Sequence, residues 1–274
     1  MQKTKKFYKG TNDQMFKAIF TAKKNEYLLK EFIRRSLKTV LSSNLDDLKI
    51  LSTEVAKTNI NIKGKTVDVL AETSNEIFNI ELNNTYYSSL HKRNAAYMFS
   101  KYSEEVKVSE TYDKMKMFIQ INLTKGLTKN HPSLEIYTLK GEKSNKKYID
   151  NLIILEFSID KIKDEWYNGN NEFDFVAALD LEGNELDKIC EGDKYMELFE
   201  KEVKRLNENQ KFTAFMSDEE EAEKLRKTLI SEAKTEGYTE RGIEIARNLL
   251  KQNVSLEIIM EATGLSKEEI EKLK

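Results

Sequence analysis

The chain has 274 residues, of which 39% are hydrophobic and 34% charged, and its formal net charge is -2. This composition is that of a globular protein with an unusually high charge fraction, and the length allows one ordinary domain with an appendage or two small domains. The single cysteine, Cys190, excludes an intrachain disulfide framework, and the isolated His91 and His131 lack zinc-ligand spacing. We expect a soluble protein in a reducing, cytoplasmic setting, since the sequence shows neither a signal peptide nor an apolar run of the roughly 18 residues that a membrane span needs.

Charge is distributed unevenly along the chain. Residues 1–40 carry eleven Lys and Arg against three acids, a net charge of +8. This end could face phosphate, or it could be the solvated surface of a helix. Charge alone does not decide between the two.

The first predicted elements are helices that cover a sheet. Capping-box spacing from Thr11 to Gln14, followed by apolar residues at helical period, predicts a helix from about Asn12. A second amphipathic helix begins near Asn25. The period then changes to two and predicts strands at 50–56, 59–63, 66–72 and 77–83. Further along, the pattern predicts a helix over 88–102 and strands near 115–123, 134–139 and 152–157. The body is therefore predicted to be mixed α/β.

The C-terminal part is predicted to be helical, which gives domains at 1–212 and 213–274. Ser217 and the acids that follow it predict a helix start, and Gly237 and Gly242 predict interruptions. The spacing of apolar residues in the acidic helix at 218–236 favours self-association.

The last two predicted helices, 256–262 and 267–273, resemble part of a helix-turn-helix. Ser266 with Glu269 has capping-box spacing just after Gly264. Because the second of these helices has no excess of positive charge, a dimerisation or docking element is favoured over a DNA reader.

The sharpest prediction is a β-hairpin formed by 65–72 and 77–84, with its loop at 73–76. If residue 72 faces 77, every pair on one side of the hairpin is apolar, and Asp68 faces Glu81 on the other side. Asn83 shares the face of Glu81.

Two carboxylates placed opposite each other repel unless something compensates their charge. A divalent cation such as Mg²⁺ would do so, since it binds carboxylates, water and substrate phosphate. The alternative is a solvated acidic pair on an exposed sheet face. The pattern alone leaves both interpretations open.

Asp68 followed by Glu81, Leu82 and Asn83 resembles the D…(D/E)XK signature of the PD-(D/E)XK nuclease superfamily. The similarity extends over most of the chain to the transposase-like branch, the Rpn family of recombination-promoting nucleases. It rests on Asp13 with Phe16 and Lys17, the strand at 65–71, Glu81 with its neighbours, Arg93 with Tyr97, and the tail at 246–273. The resemblance implies a restriction-endonuclease-like mixed sheet flanked by helices, with an all-helical C-terminal appendage.

The resemblance further implies hydrolysis of DNA phosphodiester bonds with Mg²⁺ or Mn²⁺ as the cofactor. Asp68, Glu81 and the backbone carbonyl of Leu82 would be the metal ligands. Glu54 would add a carboxylate, or it is a strand residue with a solvated side chain. DNA is the implied partner. A homo-oligomer formed through the C-terminal helices is a separate expectation, which rests on their apolar spacing.

One departure concerns the lysine of the signature, which is Asn83 here, where the transposase-like branch more often has glutamine. Asparagine can orient water or phosphate but supplies no positive charge. Lys92 or Arg93 could supply it, and together with Lys17 they are the candidate DNA contacts. Ordinary surface phosphate affinity or a salt bridge is the alternative for Lys92 and Arg93.

Two functions follow from these observations. The first is a metal-dependent, transposase-like endonuclease that acts on mobile-element or recombining DNA. The second is a catalytically inactive protein with a nuclease fold that binds DNA or another protein, which Asn83 favours.

Overall fold

The structure is a computed structural model that describes residues 6–38, 40, 44–51, 67–108, 111–252 and 255–273. The chain divides into two compact units, residues 1–209 and residues 210–274. Within the described residues, no helix combines the length and the apolar character needed to cross a membrane.

The described residues form mixed helices and strands along the chain. The helices are α1 (Asp13–Phe20), α2 (Glu26–Leu37), α3 (Leu90–Val108), α4 (Ile159–Tyr167), α5 (Asp174–Leu179), α6 (Gly183–Cys190), α7 (Lys194–Glu208), α8 (Gln210–Lys251), α9 (Leu256–Thr263) and α10 (Lys267–Glu271). The strands are β1 (Lys49–Ile50), β2 (Val69–Glu72), β3 (Glu76–Asn83), β4 (Met117–Thr124), β5 (Leu134–Tyr137) and β6 (Leu152–Ser158).

The first unit is built on a six-stranded sheet in the order β1-β2-β3-β4-β6-β5. Strands β3, β4 and β6 are parallel, and the outer pairings are antiparallel. The predicted hairpin register is confirmed, with Val69 opposite Ile80 and Ala71 opposite Phe78. Apolar pairing on one face therefore selected the register, as a one-residue slip would have moved these side chains to the other face.

Helices α1, α2, α5 and α7 meet in an aromatic core. Asn12 caps α1 by accepting hydrogen bonds from the amides of Gln14 and Met15, so the predicted helix start is confirmed. The predicted capping box from Thr11 is wrong, since the Thr11 hydroxyl donates to Asp180. The apolar stripe of α1 then packs into a group of phenylalanine rings with centroids 4.8 to 6.4 Å apart. Its members are Phe16, Phe20, Phe32, Phe175 and Phe199.

Helix α3 belongs to a second core cluster at the start of the parallel strands. Met98 of α3 packs with Ile77, Phe118 and Leu152, which are neighbours across β3, β4 and β6. One end of this sheet face is therefore apolar, and polar residues follow it along the same strands. That change in polarity positions the candidate site.

Several predicted element bounds are wrong. Strand β2 begins at Val69 and not near residue 66, and α3 runs to Val108 and not to 102. The predicted strand at 59–63 lies outside the described residues. Residues 138 and 139 do not continue β5, which ends at Tyr137.

The predicted helix start at Ser217 is also wrong, because α8 runs from Gln210 to Lys251 without a break. The extended backbone of Asn209, which ends α7, separates the two helices. Gly237 and Gly242 lie inside α8, since a glycine costs a helix only about 1 kcal/mol.

The second unit contains a small core formed by the end of α8 with α9 and α10. Ala246, Ile259, Leu265 and Ile270 are buried there. Gly264 ends α9 with a φ of 72°, in the left-handed region that glycine adopts without strain.

The predicted capping box at Ser266 is confirmed. Ser266 Oγ accepts from the amide of Glu269, whose carboxylate accepts from the amide of Ser266. We expect Ser266→Ala to destabilise α10 by about 1 kcal/mol, measured as faster hydrogen exchange of α10 amides in the full chain. Ser255→Ala is the matched control, because the Ser255 side chain makes no capping hydrogen bond to α9. Equal effects of the two substitutions would contradict the prediction.

Candidate functional site

Glu81 lies in the middle of the sheet and not on an exposed face. It is only 3% exposed, and Asn79 and Asn83 on the same face of β3 are buried too. The interpretation of a solvated acidic pair is therefore wrong for Glu81. A carboxylate buried in a central strand needs a compensating partner.

Asp68 is the residue before β2, and its side chain reaches the same region. Its Oδ2 accepts a hydrogen bond from the Leu82 amide at 2.9 Å, and its Oδ1 lies 3.0 Å from the Lys17 ammonium. Strand β2 starts at Val69, so Asp68 and Glu81 are not themselves a ladder pair. They follow directly on the Val69–Ile80 pair, and the charge of Asp68 acts on Glu81. The Asp68 carboxylate takes the Leu82 amide hydrogen bond that a further β2 residue would have accepted.

The hydrogen bond from the Leu82 amide also indicates the direction of the Leu82 carbonyl. The N–H and C=O of one residue in a strand point to the same side. The carbonyl oxygen of Leu82 therefore points to the side on which Asp68 lies, beyond the end of β2. This is the direction that the predicted role of the carbonyl as a metal ligand requires.

Asp13 is a third carboxylate of the site, and the sequence analysis gave it no chemical role. It begins α1, and its Oδ1 accepts a hydrogen bond from Asn84 Nδ2 at 2.7 Å. Burial and the negative charge of Asp68 raise the pKa of Asp13, while the positive charge of Lys17 opposes the rise. The signal in the sequence was the spacing of Asp13 and Lys17, which places both on one face of α1.

Glu81 is the most strongly perturbed carboxylate of the site. Burial, with a smaller contribution from the charge of Asp68, raises the pKa of Glu81 to about 8, against the lowering effects of Arg93 and Lys17. Among the described residues, Glu81 Oε1 is buried without a hydrogen-bond partner. This oxygen therefore lacks the hydrogen-bond donor or cation that a buried carboxyl oxygen needs.

Arg93 of α3 is held against Asn83. Its Nη2 donates to Asn83 Oδ1 at 2.7 Å, and its guanidinium lies 5.7 Å from the centre of the Tyr97 ring. Its charge acts on both Glu81 and Asp13. Lys92, the preceding residue, is exposed, and no described ion pair joins it to these carboxylates.

Asn83 also connects the site to a buried polar row on the neighbouring strands. Asn83 Nδ2 donates to Thr124 Oγ1 at 3.2 Å, the Thr124 hydroxyl donates to Glu156, and Asn122 Nδ2 donates to Glu156 Oε2 at 2.8 Å. The sequence analysis assigned none of these three neighbours to the site. The signal for Glu156 was a single charge within the apolar run of β6.

The donor chemistry of this site fits a divalent cation. Mg²⁺ is usually held by one or two carboxylates together with water and substrate phosphate, and Asp68 and Glu81 supply the carboxylates. Within the described part of the chain, no group of three or more His, Cys, Asp or Glu side chains is close enough to hold a metal by itself. The Lys17 ammonium already neutralises Asp68. Glu54 lies outside the described residues.

The comparisons agree with the resemblance seen in the motif. A family model described as "PD-(D/E)XK nuclease family transposase" matches residues 10–233, and one described as "Rpn/YhgA-like nuclease family, C-terminal HTH domain" matches residues 239–274. No curated protein and no solved structure gives a significant match. The mixed sheet with flanking helices is the fold that this resemblance implied, and the helical second unit contains the matched HTH segment. The chain belongs to the PD-(D/E)XK nuclease family of transposases, with an Rpn-type C-terminal HTH domain.

Proposed function

We propose that this protein is a divalent-cation-dependent DNA endonuclease that hydrolyses phosphodiester bonds in mobile-element or recombining DNA. The observation that carries the proposal is that Asp13, Asp68 and the buried Glu81 lie together beside Lys17 and Arg93. Family membership supports nuclease chemistry. The raised pKa values of Asp13 and Glu81 support a site built for a missing positive charge.

Asp68, Glu81 and the Leu82 carbonyl would hold Mg²⁺ or Mn²⁺, and Asp13 would add negative charge beside Asp68. The bound cation would lower the pKa of a water molecule and offset negative charge on the phosphate. Glu54 remains a predicted further carboxylate.

The side chains of the protein perform the remaining tasks. Arg93 provides the positive charge that Asn83 lacks, and Asn83 positions Arg93 through its Oδ1. Lys17 offers its ammonium to the DNA phosphate, and in the metal-free protein it neutralises Asp68. Lys92 is an exposed contact for the DNA backbone, where it would contribute affinity but no sequence preference.

The C-terminal unit would contribute DNA binding or homo-oligomerisation, both of which the sequence left open. A cytoplasmic location, where DNA is accessible, also stays a prediction.

The test is cleavage of supercoiled plasmid with Mg²⁺ or Mn²⁺, compared with the same reaction in a chelator. We expect nicked product only with a divalent cation. Absence of nicking with both cations, or equal nicking in the chelator, would contradict the proposal.

The alternative is a protein with a nuclease fold that binds DNA or another protein without cleaving it. Asn83, which supplies no charge, and the neutralisation of Asp68 by Lys17 favour this function. It predicts DNA binding or oligomerisation that needs no metal and that survives Glu81→Gln.

A further inference from the structure

A second pocket lies beside the carboxylate site on the same face of the sheet. Helix α3 forms one wall with His91, Asn94, Ala95 and Met98. Strands β4 and β6 form the floor, and Tyr137 of β5 closes one side. The pocket has a volume of about 260 Å³, which is just below the roughly 300 Å³ at which drug-sized pockets begin. It is therefore suited to one small ring system.

The sheet register fixes the position of this pocket relative to the carboxylate site. Glu81, Asn122 and Glu156 are aligned across β3, β4 and β6. Because adjacent strands are about 4.8 Å apart, the backbone at Glu156 lies roughly 10 Å from that at Glu81. Stacked nucleotides rise about 3.4 Å each along one strand, so this distance corresponds to about three nucleotides.

The floor of the pocket offers a hydrogen-bond acceptor, and its α3 wall offers a free donor. Glu156 is 1% exposed, and its carboxylate accepts from Thr124 and Asn122 while His91 Nε2 lies 3.8 Å from its Oε2. Asn94 is 3% exposed and lines the pocket. Its Oδ1 accepts from Arg93, whereas its Nδ2 is buried with no partner among the described residues. A buried amide left in this way points to a ligand that accepts its hydrogen bond.

The mouth of the pocket is aromatic. Tyr137 is 43% exposed, and the His91 side chain is 48% exposed. The Tyr86 ring lies 5.6 Å from the His91 ring. Exposed rings of this kind are the surfaces on which nucleic-acid bases stack.

We infer that this pocket binds one unstacked base of the DNA strand whose backbone occupies the carboxylate site. The ring stacks at the Tyr137 mouth, Glu156 accepts from an amino group of the base, and Asn94 Nδ2 donates to a ring nitrogen or carbonyl. Adenine and cytosine present an amino group beside an acceptor, whereas thymine has no amino group. The pocket should therefore favour adenine or cytosine over thymine. The inference rests on the proposed function only in taking DNA as the occupant.

The test measures binding without cleavage. Labelled oligo(dA), oligo(dC) and oligo(dT) are titrated with the full chain in a chelator at pH 7.5, and fluorescence anisotropy gives the Kd of each. We expect oligo(dA) or oligo(dC) to bind at least about fivefold more tightly than oligo(dT), the lower end of what one good base contact provides. Equal Kd values for the three would overturn the inference.

Variants at the mouth and the floor separate base binding from a structural role. Tyr137→Ala should weaken oligo(dA) or oligo(dC) binding roughly 5- to 100-fold, and Tyr137→Phe should retain it. Glu156→Gln should remove the preference over oligo(dT). Tyr112→Ala, which alters an 81% exposed tyrosine, is the matched control. If Glu156→Gln fails to fold, the two Tyr137 variants still decide, and an unchanged Kd for Tyr137→Ala would overturn the inference.

Three further outcomes identify the occupant and separate the pocket from the proposed nuclease function. Displacement of oligo(dA) by dAMP at a concentration near the Kd of the oligonucleotide would overturn DNA as the occupant in favour of a free nucleotide. Base-dependent binding by a chain that never nicks DNA would support the pocket and contradict the nuclease. Cation-dependent nicking without base-dependent binding would overturn the pocket alone.

Discussion

Replacing Glu81 with glutamine is expected to lower cleavage by on the order of 10³-fold while it stabilises the metal-free protein at alkaline pH. The carboxylate is a proposed ligand, and loss of one preorganised charge-stabilising group in an active site costs 10²- to 10³-fold or more. In the metal-free protein, however, the same carboxylate is buried with an unpartnered oxygen. One substitution should therefore move activity and stability in opposite directions.

The pH dependence follows from the raised pKa of Glu81, about 8 in the folded protein against 4.5 for the free side chain. Below pH 4.5 the group is protonated in both states, and its contribution to stability is fully present. Between pH 4.5 and about 8 the unfolded chain ionises first, so this contribution is lost as pH rises. The loss is on the order of 5 kcal/mol at most.

The measurement is the free energy of unfolding of wild type and Glu81→Gln from pH 5 to 9, in a chelator. We expect the free energy of unfolding of the variant, relative to that of the wild type, to rise steadily up to about pH 8. Above that pH the difference should stay constant. Glu142→Gln, at an exposed loop position, should show no such trend. A constant difference across the pH range would contradict the buried, proton-binding state of Glu81.

The hairpin shows how much of the fold the sequence contained. Alternating polarity selected the register of Val69 with Ile80 because the wrong register exposes several apolar side chains at once. The same rule cannot detect where a ladder stops. Asp68, the residue before β2, stops the ladder with β3 because its side chain accepts the Leu82 amide hydrogen bond. No periodicity in the sequence encodes this side-chain contact.

The site was predictable where its residues lie on one hairpin and not where distant elements meet. Asp68 and Glu81 are 13 positions apart and were identified from strand pairing. Asp13 and Glu156 come from α1 and β6, and only the tertiary packing brings them near the hairpin. The choice between Lys92 and Arg93 likewise depended on the rotation of α3, which points Arg93 to Asn83.

Arg93 and Asn83 should behave as one unit that replaces the lysine of the signature. Arg93→Met is expected to lower the single-turnover cleavage rate by roughly 10²- to 10³-fold, because an arginine aimed at a transferring phosphate stabilises charge in the transition state. Lys201→Met, which removes an exposed cation on α7, is the matched control and should leave the rate unchanged.

The decisive variant is Asn83→Lys, made in both backgrounds. Asn83 Oδ1 and Arg93 Nη2 are 2.7 Å apart, so a lysine at position 83 would deliver its charge close to the present guanidinium. With Arg93 intact, the two cations would repel and Asn83→Lys should slow cleavage. With Arg93→Met, the same lysine should raise the cleavage rate at least about tenfold. The effect of Asn83→Lys on the rate would therefore have opposite signs in the two backgrounds. Equal effects of Asn83→Lys in both backgrounds would show that the two residues act separately, and Arg93 would then not be the substitute for the missing lysine.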